Sequence, residues 1–306
     1  MPDQFETLVY STEGAIATIT LNRPKDLNTI VPPMPDELEA AVTRAVRDAT
    51  VKVIVLRGAG RAFCAGFDFG DGFHAYDEVL YTDGKWDPGK ELITNSSPVL
   101  GWVPKFMSLW NSPKPVIAQV HGWCVGGGSE MALCADIVIM SEDAQIGTPY
   151  SRMWGCHHAG MWIYRLGLAH AKELALTGRA LSGIEAKKLG LVNDAVPFDQ
   201  LEDTVYSLAE RLCTIPLNQM TAMKTVVNQA YTNMGLGSTQ LLGTMLDGML
   251  RNTPEALEFI EFAEREGAHA AVTRRDAPFG DYSQGQKPNP AHIVHLDPRT
   301  RSGGAT

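Results

Sequence analysis

Glu130 follows directly on the run Gly126-Gly127-Gly128-Ser129, and that spacing is chemically suggestive. Three consecutive glycines let backbone N–H groups approach a ligand with no side chain in the way. If a helix opens there, its dipole adds partial positive charge, so an oxygen carrying negative charge is stabilised at that spot. A glutamate in the first turn of the same helix would place a carboxylate about one turn from those amides. The arrangement reads as an oxyanion hole with an acid/base group beside it. A plainer reading stands next to it, in which the glycines make a tight turn and the glutamate complements the helix dipole. A nucleotide-phosphate loop does not fit. Gly122 to Gly128 lacks the dinucleotide spacing, and no acidic residue closes a following strand at the usual distance.

The surrounding elements would have to hold that segment in place. Pro115–His121 reads as a buried strand before the glycines, and Asp136–Met140 as another after the short helix. Val51–Leu56 is a β-branched run leading into a glycine-rich loop, Arg57–Phe69. Thr7–Tyr10 and Ala15–Leu21 alternate around Glu13-Gly14 as a hairpin, and Pro35–Asp48 carries apolar residues at helical spacing. The recurrence of strand, loop and helix predicts stacked ββα units in an α/β protein rather than a doubly wound sheet. Ala159–Gly178 reads as one helix ending at a capping glycine, and Ser182 as the N-cap of a helix over 184–189. Consecutive helices are expected at Leu201–Cys213, Leu217–Asn233, Ser238–Arg251 and Pro254–Arg265. Ser283–Thr306 is poor in apolar residues and reads as peripheral or mobile.

Taken in order, these segments resemble the crotonase (enoyl-CoA hydratase/isomerase) superfamily over about residues 5–282. The resemblance rests on Asn22-Arg23-Pro24-Lys25, on Ala62-Phe63-Cys64-Ala65-Gly66-Phe67-Asp68, and on Lys114-Pro115-Val116-Ile117-Ala118 with the glycine run and Glu130. Ala144-Gln145-Ile146-Gly147, Thr177-Gly178, Glu185-Ala186 with Leu189-Gly190-Leu191-Val192, Glu266-Gly267 and Arg274-Arg275 follow in the family order. The resemblance implies a crotonase-like ββα spiral core over 1–200 with the CoA-thioester site. It also implies a helical oligomerisation region over 201–282, serving trimer formation, before the 283–306 tail. It assigns the oxyanion-hole N–H groups to Phe67 and Gly127 and the acid/base carboxylate to Glu130. Hydratases of the family pair that glutamate with a second one, and here Tyr150 stands in its place. A phenol with an ordinary pKa near 10 donates a hydrogen bond but is a poor base at neutral pH. Ala65, Gly66 and Asp68 are expected to contact CoA through the loop backbone. Arg23 and Lys25 would meet its phosphates or serve as surface charge. Arg274 would reach the site from the C-terminal helix, within its own subunit or across a subunit boundary. Asp68, Arg152, His157 and His158 lie in or beside family active-site segments, the two histidines either structural or catalytic. Phe73, Tyr76, Trp86 and Trp102, in the long connection from Phe69 to Lys114, are either an acyl-pocket wall or part of a surface insertion.

Composition limits the remaining classes. The chain has 306 residues, 44% of them hydrophobic and 20% charged, as in ordinary globular proteins. A net charge of −9 disfavours nucleic acid as a partner and leaves any attraction for an anionic CoA to local Lys and Arg. No apolar run is long enough to predict a membrane span, and no secretory signal is readable at the start. Five cysteines without C-x-x-C spacing read as reduced thiols in a cytoplasmic enzyme, with Cys64 and Cys124, near the two glycine-rich segments, as small buried fillers in preference to nucleophiles. The scattered histidines predict no metal site, and no cofactor is expected beyond CoA as part of the substrate. The expected partners are an acyl-CoA thioester and further copies of this chain, as a homotrimer or dimer of trimers. The function implied is water addition or elimination at C2–C3 of an enoyl-CoA. The loss of the second glutamate keeps open another crotonase reaction (isomerase, decarboxylase or thioester hydrolase) or a non-catalytic acyl-CoA binding protein.

Overall fold

The computed structural model describes residues 4–69, 77–97 and 99–296. Phe73 and Tyr76 lie outside the described residues. β1 (Leu8–Glu13) and β2 (Ile16–Leu21) form the expected hairpin, reversing at Gly14 with φ +55°. After α1 (Pro33–Arg47), β3 (Val53–Gly58) pairs parallel to β2. The connection beyond Phe69 carries α2 (Asp77–Leu80), a small hairpin of β4 (Tyr81–Thr82) and β5 (Lys85–Trp86), α3 (Pro88–Ser96) and α4 (Trp102–Asn111). It therefore has secondary structure of its own.

Next come β6 (Val116–Val120), β7 (Trp123–Val125), α5 (Gly127–Leu133), β8 (Ile137–Ser141) and β9 (Gln145–Gly147). α6 (Met161–Leu166), α7 (Leu168–Thr177), β10 (Leu181–Ser182), α8 (Gly183–Lys188) and β11 (Asp194–Val196) complete the mixed part. A six-stranded sheet in the order β1-β2-β3-β6-β8-β11 is parallel from β2 onward, and β10-β9-β7 form a second, smaller sheet. Each of β6 and β8 enters the large sheet, and the short strand after it joins the small one before the chain turns helical. That is the ββα spiral expected from the repeating pattern.

The large sheet is covered on both faces, which is why its strands are continuous apolar runs instead of alternating ones. Ile54 and Leu56 of β3 point into the main core with Leu38, Val42 and Leu109 of α1 and α4. Val53 and Val55 point the other way, with Ile117 and Ile139, against Leu201, Val205 and Ala209 of α9 (Phe198–Cys213). The C-terminal helices continue as α10 (Leu217–Asn233), α11 (Leu236–Leu250), α12 (Pro254–Glu266) and α13 (Ala268–Asp276).

Two features differ from expectation. The helix expected over 159–178 is split, because Gly167 takes φ +73° and ψ 160°, which caps α6 and starts α7 afresh. Gly267, at φ +91°, likewise ends α12 and opens α13, an element not anticipated. At Ser182, by contrast, the expected cap is present as a full capping box with Glu185. Among the described residues, no helix is long and apolar enough to cross a membrane.

Candidate active site

The two glycine-rich segments lie side by side. Cys64 N–H donates to Trp123 O at 3.0 Å and Val125 N–H donates back to Cys64 O at 3.0 Å, so residues 64–68 run along β7. On the other side Ile30 N–H donates to Gly66 O at 2.8 Å and Asp68 N–H to Ile30 O at 3.0 Å. Cys64 and Cys124 sit fully buried at this seam. Burial pushes the Cys64 thiol up to about 12 and raises that of Cys124 as well, so both act as small fillers rather than nucleophiles.

The glycines are needed for distinct reasons. Gly126, at φ +54° and ψ −126°, takes a conformation closed to other residues and donates its N–H to Gly147 O at 2.8 Å. Gly127 opens α5, where the first N–H groups have no partner within their own helix. A Cβ on Gly127 would sit 2.7 Å from Phe67 Cε2 and 2.9 Å from Ile30 Cδ1. A Cβ on Gly128 would run into the carbonyl oxygen of Cys64. The fold thus brings Phe67 and Gly127, the residues expected to carry the two N–H donors, against each other.

Glu130 lies in the first turn of α5 with its side chain fully buried. Its Oε2 accepts from Ala159 N–H at 2.9 Å, and its Oε1 lies 3.3 Å from His157 Nδ1. Ser129, just before it, is locked by donating to Gly126 O at 2.7 Å and accepting from Trp162 Nε1 at 3.0 Å. Tyr150 stands on a 3-10 turn, Pro149–Arg152, and packs over Gly155 and beside Gly126. Its ring is 5.8 Å from that of His157 and 6.0 Å from that of His158. The Tyr150 hydroxyl is buried and has no hydrogen-bond partner among the described residues. Burial, then the negative charge of Glu130 and Asp247, pushes this phenol well above its ordinary range. Its neutral form is favoured, which leaves it able to donate a hydrogen bond but not to serve as a base.

Behind the site lies a buried polar network that sequence reasoning missed. His158 Nε2 is 3.0 Å from Asp247 Oδ1, and Arg251, 4.0 Å from Asp247 Oδ2, donates to both carboxylate oxygens of Glu91 at 2.8 and 3.0 Å. Burial works against both charges of the His158–Asp247 pair. Their mutual attraction prevails, raising the imidazole and lowering the carboxyl from their ordinary values. A signal was present in the sequence: Asp247 is the lone charged residue of Leu236–Leu250, and the structure buries it with Gly243 and Gly248 while large apolar side chains of that helix stay exposed. Gly243 lets α11 approach the His157 carbonyl, and Gln240 Nε2 donates to Ala159 O at 3.0 Å.

The remaining expected residues fall into two groups. Near the candidate oxyanion loop, Ala65 N–H donates to Leu27 O at 3.0 Å, and the Phe67 ring lies 5.2 Å from Trp102. Gly66 is buried, while Ala65, Phe67 and Asp68 are partly exposed. Arg23 donates from both terminal nitrogens to Asp68 Oδ2 at 3.0 Å and also to Thr29, so these two charges bind the turn to the loop. Lys25 is exposed on the same turn. Elsewhere, Arg274 on α13 pairs with Glu258 at 2.9 Å and lies over Phe262. Arg152 is drawn away from the site into bonds with Asp281, Asp276 and Thr177 O.

Comparison with known proteins bears on this geometry. A family model described as enoyl-CoA hydratase/isomerase matches residues 11–281. A probable enoyl-CoA hydratase of Rhizobium meliloti is 31% identical over 282 residues, covering 90% of this chain and 98% of the relative. The 1,2-epoxyphenylacetyl-CoA isomerase of Escherichia coli is 32% identical over 279 residues, with coverage of 90% and 98%. The crystal structure of an enoyl-CoA hydratase from Mycobacterium smegmatis superposes with a TM-score of 0.85 at 38% identity, covering 94% of this chain and 98% of that one. With its ββα spiral and paired glycine loops, this chain belongs to the enoyl-CoA hydratase/isomerase (crotonase) family, as an enzyme of that kind.

Proposed function

We propose that the protein acts on an acyl-CoA thioester, and that its reaction is water addition to or elimination from C2–C3 of an enoyl-CoA. The observation that carries this reading is the buried Glu130 carboxylate. It is fixed by Ala159 N–H at 2.9 Å and sits on the first turn of the helix that Gly127 opens. Negative charge builds on the thioester oxygen as C3 is attacked, and the Phe67 and Gly127 N–H groups would receive it; one such donor is worth about 3–4 kcal/mol of transition-state stabilisation. Glu130 would take a proton from the incoming water and return it at C2, a role in which a fixed carboxylate is effective. Tyr150, neutral and with its hydroxyl buried next to Gly126, would donate a hydrogen bond to the water or the acyl group. The backbone of Ala65, Gly66 and Asp68 would hold the pantetheine and adenine, with Lys25 the exposed cation of the neighbouring turn.

A second reading has its own support. Only one carboxylate, Glu130, occupies the two family positions, and one relative is named an isomerase. Proton transfer without net hydration therefore remains the alternative. Incubating the enzyme with a panel of enoyl- and acyl-CoA thioesters and identifying products by mass separates the two. A 3-hydroxyacyl-CoA supports hydration, whereas a shifted double bond or rearranged isomer supports the alternative. We further propose that the enzyme is cytoplasmic, needs no cofactor beyond CoA, and works as a homotrimer or dimer of trimers. Met223, Val226 and Val227 on α10 and Leu242, Met245 and Met249 on α11 are exposed apolar side chains that such packing would bury.

A further inference from the structure

We propose that His157 is the second proton-holding group of this site, exchanging a proton with Glu130 in the place that Tyr150 cannot fill. The inference rests on the reading of Glu130 as the proton-transfer group and deepens it. Among the described residues, His157 is the ionisable side chain within hydrogen-bond range of the Glu130 carboxylate, with Nδ1 3.3 Å from Oε1. The other oxygen is already committed to Ala159 N–H, so Oε1 is the one that exchanges protons. Tyr150 is the competing candidate. Its phenol is pushed up by burial and by Glu130's own charge, so it can donate a hydrogen bond but cannot cycle between protonation states.

The fold holds His157 as an element under constraint. Its ring is bounded by Tyr150 at 5.8 Å and Trp162 at 5.9 Å, and its side chain is 11% exposed. The segment carrying it is gripped from α11 at three successive residues. Gly243 packs against the His157 carbonyl, Asp247 binds His158 at 3.0 Å, and Gln240 donates to Ala159 O at 3.0 Å. Both partners of the Glu130 carboxylate, His157 Nδ1 and Ala159 N–H, come from that gripped segment. The charged or titratable groups around His157 are Glu130 from α5, Tyr150 from the 3-10 turn, Cys156 and His158 in its own segment, and Asp247 with Arg251 from α11. The step itself is a proton transfer. Glu130 takes a proton from water or carbon. With His157 protonated on Nε2, that proton passes from Oε1 to Nδ1, breaking one O–H bond and forming one N–H bond. The carboxylate is regenerated and the imidazolium holds the proton until it returns.

Two readouts test this. One is hydration of crotonyl-CoA, and the other is exchange of the α-protons of butyryl-CoA in heavy water, which needs proton transfer but no water addition. In His157→Asn the amide nitrogen can stand where Nδ1 stands but does not titrate. It should melt like the wild type and bind butyryl-CoA within about threefold. Its exchange rate should drop at least about tenfold, and its pH–rate profile should lose one ionisation. His157→Leu, which also removes the contact to Oε1, should lose at least about a hundredfold. If it does not fold, His157→Asn decides alone. An unchanged rate and pH profile in His157→Asn would overturn the inference and make His157 a filler. Exchange by the wild type without hydration would sink the hydratase reading and leave the His157 comparison standing on exchange. Hydration and exchange both untouched by the His157 variants would do the reverse.

Discussion

Replacing Glu130 by glutamine removes the proposed base at almost no structural cost, and the geometry says why. Oε2 accepts from Ala159 N–H at 2.9 Å, while Oε1 faces His157 Nδ1 at 3.3 Å. In one orientation of the glutamine amide, its oxygen still accepts from Ala159 and its nitrogen donates to an Nδ1 carrying no proton. The Ala159 bond survives and the amide nitrogen adds a donor toward Nδ1, so stability should change by less than about 1 kcal/mol. What is lost is the ability to take a proton, and a positioned general base contributes about 10²–10⁴-fold in rate. The expected loss in kcat is therefore at least about a hundredfold, or about 2.7 kcal/mol in barrier, with acyl-CoA affinity kept. Glu130→Ala should behave differently, since it leaves Ala159 N–H buried and unpaired and costs about 1–3 kcal/mol of stability besides. The assay is the decay of enoyl absorbance with crotonyl-CoA, beside calorimetric binding of butyryl-CoA. A Glu130→Gln enzyme that turns over within tenfold of wild type, with unchanged affinity, would refute the acid/base role and leave the carboxylate structural.

Other perturbations test the rest of the account. Tyr150→Phe should cost less activity than Glu130→Gln and leave the melting temperature unchanged or raised, because a buried unpaired hydroxyl is removed. Tyr150→Glu restores the family's second carboxylate and should raise hydration of a short enoyl-CoA. Gly128→Ala should abolish soluble expression, since its Cβ meets a main-chain oxygen of Cys64 that cannot move aside. The His158–Asp247 pair predicts a pH dependence of stability. The raised imidazole contributes fully below its ordinary 6.5, with that contribution lost as pH rises through the folded value. The depressed carboxyl contributes above its ordinary 3.8, with that contribution lost as pH falls through the folded value. Thermal melts should thus show the pair's full contribution between roughly pH 4 and 6.5 and a decline above it. Asp247→Asn should cost about 3 kcal/mol at pH 6 and abolish that decline. Light scattering at micromolar concentration should give a trimer or hexamer, and a monomer would refute the oligomer proposal.

Much of the candidate site's geometry was legible in the sequence because it depends on backbone. Gly126 to Glu130 and the loop to Asp68 announce themselves by residues that leave space, and the structure needs that space at Gly127 and Gly128. The alternation of strand, loop and helix likewise anticipates the two sheets, since each ββα unit is a local pattern. What the sequence could not show is pairing across long separations. Arg23 and Asp68, named as CoA contacts, hold each other across 45 positions. His157 and His158 were visible, but not that one turns to Glu130 and the other to Asp247. The helix break at Gly167 was missed because the flanking apolar pattern continues through it, and only the positive φ reveals the interruption. The end of α12 near Arg265 was expected, and what went unread is α13 beyond Gly267.

The most direct test of the central claim is to supply crotonyl-CoA in water labelled with heavy oxygen and to weigh the product. The account predicts a 3-hydroxyacyl-CoA carrying the label at C3, formed by the wild type and suppressed in Glu130→Gln. Crotonyl-CoA that is bound but returned unchanged, or converted to an isomer without label, would contradict it.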